Sequence, residues 1–196
     1  MLLLSPIHLH IMKKLFLTVI IAAGATFAAQ AQDISFGVKG GLNVASMTDV
    51  DASSKISGHI GGFANFKFQK SWAIQPELLF SGQGARVDLP GDDLKYALSY
   101  INIPVLFQYY FLPEFYAEAG PQLGILASSR VKRGGVSEDV DGFKSVDIGS
   151  AIGVGYKFPI NVGVYARYTF GFTDLIDGLA DPRNSVFQIG ASYTFK

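Results

Sequence analysis

Hydrophobic and polar positions alternate with a period of two through most of this chain. Eight runs carry the pattern, at 36–46, 57–68, 72–83, 98–111, 115–127, 146–158, 161–171 and 186–195. Successive side chains of a strand leave on opposite faces, so period two predicts strands, and no helical period competes with it after residue 31. One parity is apolar: Phe36, Val38, Leu42 and Val44 in the first run, Ile101, Ile103, Val105 and Phe107 in the fourth, Phe187, Ile189, Tyr193 and Phe195 in the last. The other parity is rich in glycine and carries every charge inside a run, namely Lys39, Lys67, Glu77, Glu118, Asp147, Lys157 and Arg167.

The connections alternate as strictly as the faces. After the second, fourth and sixth runs they are short ("QKS", "LPE", "PI"). After the first, third, fifth and seventh they are long, polar and rich in Gly or Asp ("MTDVDASSKI", "GARVDLPGDDLKYA", "SSRVKRGGVSEDVDGFKS", "FTDLIDGLADPRNS"). One end of the bundle therefore has tight turns and the other has loops, the anatomy of an outer-membrane barrel with periplasmic turns and extracellular loops. The fold class expected is all-β, an eight-stranded antiparallel up-and-down transmembrane β-barrel, because in lipid only a closed cylinder pairs every strand backbone. A charge on the lipid face near midplane costs about 2–4 kcal/mol for Lys or Arg, which accounts for the clean apolar parity. The interior of eight strands is only just wide enough for side chains, which accounts for the glycines.

The first residues read as an address. Lys13 and Lys14, the apolar "LFLTVIIAAGATFAA" and the Ala29-Gln30-Ala31 site predict a secretory signal peptide over 1–31, with 1–11 a misassigned start before Met12. The outer-membrane barrel domain is then 32–196, with fourteen cationic and sixteen acidic residues and no cysteine. That balance excludes nucleic acid as a partner, and packing and backbone pairing must hold the exported domain without disulfides.

The ending Gln188-x-Gly190-x-x-Tyr193-x-Phe195 resembles the C-terminal signal by which the barrel assembly machinery recognises outer-membrane barrels; Lys196 after the terminal aromatic departs from its commonest form. The segments "PELLFSGQGA", "YINIPVLFQYYF", "FYAEAGPQLGIL" and "DIGSAIGVGYKF" resemble the PorT-like outer membrane β-barrel domain family of Bacteroidetes over essentially the whole chain from Asp33 to Lys196. The resemblance implies an outer-membrane location and a small barrel, and no single activity.

The seven in-strand charges are expected to form one structural salt-bridge network that plugs the lumen, with Glu77–Arg167 as its leading pair, since buried charges must pair. His59 lies on the inward parity and is expected as a rim residue near the loops. Ser57, two residues away, makes no triad with it. "SEDVDG" (137–142) lacks the glutamate an EF-hand requires, having Ile148 at that place, and "GSAIGVG" precedes no helix. No cofactor or metal is expected. Trp72, Tyr109, Tyr110, Phe111, Phe115, Tyr116 and Phe158 are expected in an interfacial girdle. The long loops carry nineteen of the thirty charges of 32–196. A monomer is expected, non-enzymatic and with a structural or surface-interaction role through those loops, in contact with outer-membrane lipid and an extracellular partner that the sequence does not name. The rival readings are a lipid-modifying hydrolase, a secreted soluble barrel binding an apolar ligand, and a pore.

Overall fold

The computed structural model describes residues 33–48, 53–89, 92–133, 136–139, 144–174 and 183–195. The signal peptide expected over 1–31 lies outside the described residues. Ten strands follow in chain order: β1 Asp33–Met47, β2 Ser53–Gln69, β3 Trp72–Gln83, β4 Ala85–Leu89, β5 Asp92–Tyr110, β6 Phe115–Arg133, β7 Val136–Asp139, β8 Val146–Lys157, β9 Val162–Gly171 and β10 Asn184–Thr194. Eight of them, all but β4 and β7, pair antiparallel with their neighbours in a ring, and β1 with β10 closes it. The final strand is thus no loose edge.

The turns obey local chemistry. The β8–β9 turn places Asn161 at φ 64°, a left-handed position that asparagine tolerates, and closes with Phe158 N–H donating to Val162 O at 2.8 Å. The start of β1 and the end of β10 meet at this side, where Phe195 N–H donates to Phe36 O at 2.7 Å.

The eight expected strands form the barrel, and at the loop end some of them run on past the alternation. There the alternation is replaced by mixed polar residues, but the backbone ladder continues. Strand β5 begins at Asp92 rather than 98, and β6 runs to Arg133 rather than 127. Their extensions pair with two short strands, β4 (Asp88 opposite Asp93) and β7 (Arg133 opposite Val136), so two long connections are largely β-hairpins. The hydrogen-bond ladder needs no alternation to persist, so the pattern ends before the strand does.

The faces separate cleanly. The apolar parity points out, with Ile60, Phe36, Leu78 and Ile189 each more than half exposed. Aromatic pairs ring the turn end (Trp72–Tyr109 at 4.8 Å, Phe111–Phe115 at 5.3 Å, Tyr156–Phe158 at 4.9 Å), and Tyr168, Phe170 and Phe172 stand in a row nearer the loops. Two residues expected in the girdle are corrected: Tyr110 and Tyr116 sit on the opposite parity, buried in the lumen with ring centroids 5.4 Å apart. Their immediate neighbours in sequence, Tyr109 and Phe115, are the ones that face out.

Candidate functional site

The lumen is the place where chemistry could reside, and its polar side chains fall into tiers. At the centre, Arg167 of β9 is fully enclosed, and its guanidinium spans the two carboxylates of Glu77 on β3 and Glu118 on β6. Nη1 donates to Glu77 Oε2 at 2.9 Å, Nη2 to Glu77 Oε1 at 2.9 Å and Glu118 Oε1 at 2.7 Å, and Nε to Glu118 Oε1 at 2.8 Å. Lys39 of β1 adds a second cation on Glu77 Oε1 at 2.8 Å. Two acids and two bases balance in a dry interior, where an unpaired charge would be costly.

Neutral amides complete this tier. Carboxylates accept only, so the amide nitrogens of Gln75 and Gln108 must face them, at 2.8 Å from Glu77 Oε1 and 3.0 Å from Glu118 Oε2. That turns both amide oxygens toward Asn65 Nδ2, which donates to each at 2.9 and 2.8 Å. Every orientation is fixed by the anions at the middle.

Above lies a second tier, built on Asn43 of β1. Its Nδ2 donates to the carbonyls of Gly82 (2.7 Å) and Gly58 (3.2 Å) and to Ser81 Oγ (3.0 Å), which leaves Oδ1 to accept from Gln188 and to face His59 Nδ1 at 2.6 Å. His59 is therefore the Nδ1–H tautomer, and its Nε2 accepts the Tyr165 hydroxyl at 2.5 Å. The expectation of a rim residue is corrected: His59 is buried deep in the lumen with both nitrogens occupied. Ser57 donates to Gly82 O at 2.6 Å, away from any base.

The remaining charges do not join the centre, so the single network expected of seven residues divides into three groups. Toward the turns, Lys67 and Lys157 are half-buried over the Tyr110 ring, with Nζ to centroid distances of 4.7 and 5.2 Å, and Lys157 donates to the Tyr110 hydroxyl at 2.6 Å. A recess of about 440 Å³ bordered by Asp33, Lys67, Lys70 and Tyr110 opens this end to water. Toward the loops, Asp147 accepts from Asn184 Nδ2 at 2.8 Å and forms no ion pair among the described residues.

The expected assembly-signal residues split by face. Gln188 and Gly190 look into the lumen, where a Cβ on Gly190 would sit 2.6 Å from the Tyr165 hydroxyl. Tyr193 and Phe195 face lipid as a T-shaped pair at 5.9 Å. Sequence reading missed the amide set: Asn43, Asn65, Gln75, Asn102, Gln108 and Gln188 all lie on the inward parity, which the charges mark in β1, β2 and β3 and the opposed apolar residues mark in β5 and β10, and that parity was the available signal. Among the described residues no three His, Asp or Glu side chains gather around a point that a metal could occupy.

Geometry of this kind agrees with the comparisons. The crystal structure of Neisserial surface protein A matches over 83% of this chain and 97% of that one, at 15% identity and a TM-score of 0.54. Ail, the attachment invasion locus protein of Yersinia pestis, in its structure with the heparin analogue sucrose octasulfate, matches over 84% of this chain and 100% of that one, at 14% identity and a TM-score of 0.51. At such identities the likeness is one of fold. No curated protein matches the chain in sequence. Residues 29–177 match the family model for the outer membrane protein beta-barrel domain. The chain belongs to that family, and its place is the outer membrane.

Proposed function

We propose that this protein is a monomeric, non-enzymatic outer-membrane barrel whose rigid, plugged stave ring presents the loop-end hairpins at the cell surface for structural or binding work. The observation that carries the reading is the filled lumen. The Lys39–Glu77–Arg167–Glu118 cluster and its amides fill the centre, every carboxylate oxygen accepting at least one hydrogen bond, which supports a plug over a pore. The occupied nitrogens of His59 argue against the lipid hydrolase alternative, since a general base needs a free lone pair beside its nucleophile. An outward face of exposed aliphatic and aromatic side chains argues against a soluble carrier of apolar ligands.

The same proposal includes export through a signal peptide cleaved after Ala31, delivery to the barrel assembly machinery through Gln188, Gly190, Tyr193 and Phe195, and membership of the PorT-like branch found in Bacteroidetes. Loops on a rigid scaffold are where a surface partner would be recognised. To test it, an epitope placed between Gly134 and Gly135 is expected to be stained on intact cells, and the purified barrel is expected to show no single-channel conductance. Altered membrane lipid masses on expression, abolished by His59→Ala, would restore the enzyme reading; steady conductance would restore the pore.

A further inference from the structure

Toward the loops the lumen holds buried oxygens that nothing in the fold pairs. Asn102 Oδ1, Asp147 Oδ1 and Asn184 Oδ1 make no hydrogen bond, their residues being 2%, 8% and 5% exposed, and the fully buried Tyr100 hydroxyl lies beside the Asn184 amide. They come from β5, β8 and β10, yet two glycines draw them together. A Cβ on Gly124 of β6 would lie 3.0 Å from Asn102 Oδ1 and 3.4 Å from both Asp147 Cβ and Tyr100 Cδ1. One on Gly171 of β9 would lie 2.9 Å from Asp147 Oδ1 and 3.4 Å from the Asn184 backbone. One N–H of the Asn184 amide goes to Asp147 Oδ2, and the other oxygen of each of these two side chains accepts nothing.

We propose that Asp147, Asn184, Asn102 and Tyr100 form a binding site for a hard divalent cation of the calcium class, entered from the loop side. The three free atoms and the tyrosine hydroxyl are all oxygens, and calcium takes carboxylate and amide oxygens with waters completing its shell. Water alone would satisfy the neutral acceptors but leave the carboxylate charge uncompensated in a buried setting, where no Lys or Arg among the described residues pairs with it. Transition metals would want nitrogen or sulfur; there is no cysteine, and the His59 nitrogens are committed. Magnesium dehydrates reluctantly and keeps several waters, whereas calcium accepts protein oxygens in a less exacting geometry. One carboxylate among neutral donors places the affinity with extracellular modules, at about 10⁻⁴–10⁻³ M.

The test uses the whole barrel, folded in detergent, washed with chelator and titrated with terbium. Saturable tyrosine-sensitised emission is expected, because Tyr100 borders the site, and calcium should displace it with a midpoint of about 10⁻⁴–10⁻³ M. Asp147→Asn should weaken binding at least about tenfold while the heat-modifiable gel shift of the folded barrel is retained. Asn102→Leu removes one ligand and no charge, and it keeps the test decisive should Asp147→Asn fail to fold. Absence of saturable emission, or emission that calcium leaves in place at about 10 mM, overturns the proposal. So does emission that neither variant changes; in each case the cluster holds only water.

Discussion

The middle of the lumen and its loop end are built from the same residue types and behave oppositely. At the centre, Arg167, Lys39, Glu77 and Glu118 pair in both charge and hydrogen bonds, with Gln75, Gln108 and Asn65 turned to suit them. At the loop end Asp147 has one amide donor and no cation among the described residues, and Asn102 and Asn184 keep their amide oxygens unpaired. A satisfied buried network is a plug, because any movement breaks several bonds in a low-dielectric setting. A buried carboxylate left without a cation calls for something the chain does not supply. The difference marks the first region as scaffold and the second as a site.

The strongest way to break the contrast is to unpair the centre. Arg167→Met leaves Glu118 with only Gln108 and forces an uncompensated carboxylate into the lumen, so a loss of about 3–5 kcal/mol is expected in the urea unfolding midpoint of the folded barrel. Adding Glu118→Gln should recover most of that loss, since Glu77 keeps Lys39. An equal loss in both variants would show that the guanidinium matters by shape rather than charge. The lipid side gives the next effect. Leu78, exposed on the outer face of β3 between the turn-end girdle and the loops, should cost about 2–4 kcal/mol as Leu78→Arg.

The second lumenal tier sets a smaller scale. His59→Ala strips Tyr165 and Asn43 of a partner each, and a destabilisation of about 1–3 kcal/mol is expected by the same unfolding assay. A larger loss would mean that this tier, and not the ion cluster, is what holds the staves together.

How much of this was legible in sequence follows from what each feature depends on. The outward band and the inward charges depend on parity alone, and Phe36 against Lys39 or Leu78 against Glu77 can be read directly. The pairing of Arg167 with both Glu77 and Glu118 depends on the stagger of strands that are not neighbours in sequence, which alternation does not encode. Tyr110 and Tyr116 were misplaced because their aromatic character was weighed before their parity. The amides are harder to read because Asn and Gln suit a solvated face as well as a lumen, and the runs holding Asn102, Gln108 and Gln188 contain no charge to tell the two apart. The hairpin ends of β5 and β6 were invisible for the reason given by Lys95 opposite Lys132: the ladder goes on where the apolar face has stopped.

The smallest expected effect separates site from scaffold most sharply. In chelator, Asp147→Asn should change stability by no more than about 1 kcal/mol, since it removes a buried charge that has no ion pair and leaves an amide of the same shape. Wild-type protein should then gain about 1.4 kcal/mol at a calcium concentration ten times its dissociation constant, and the variant should gain nothing comparable at that concentration. Thermal or urea midpoints with and without calcium read both quantities in one series. Were Asp147 instead part of the plug, the order would reverse: the variant would lose several kcal/mol, as at Arg167, and calcium would shift neither protein. The magnitude of the loss in chelator and the presence of the gain in calcium are independent readings, so an intact gain beside a large loss would assign Asp147 to both regions at once.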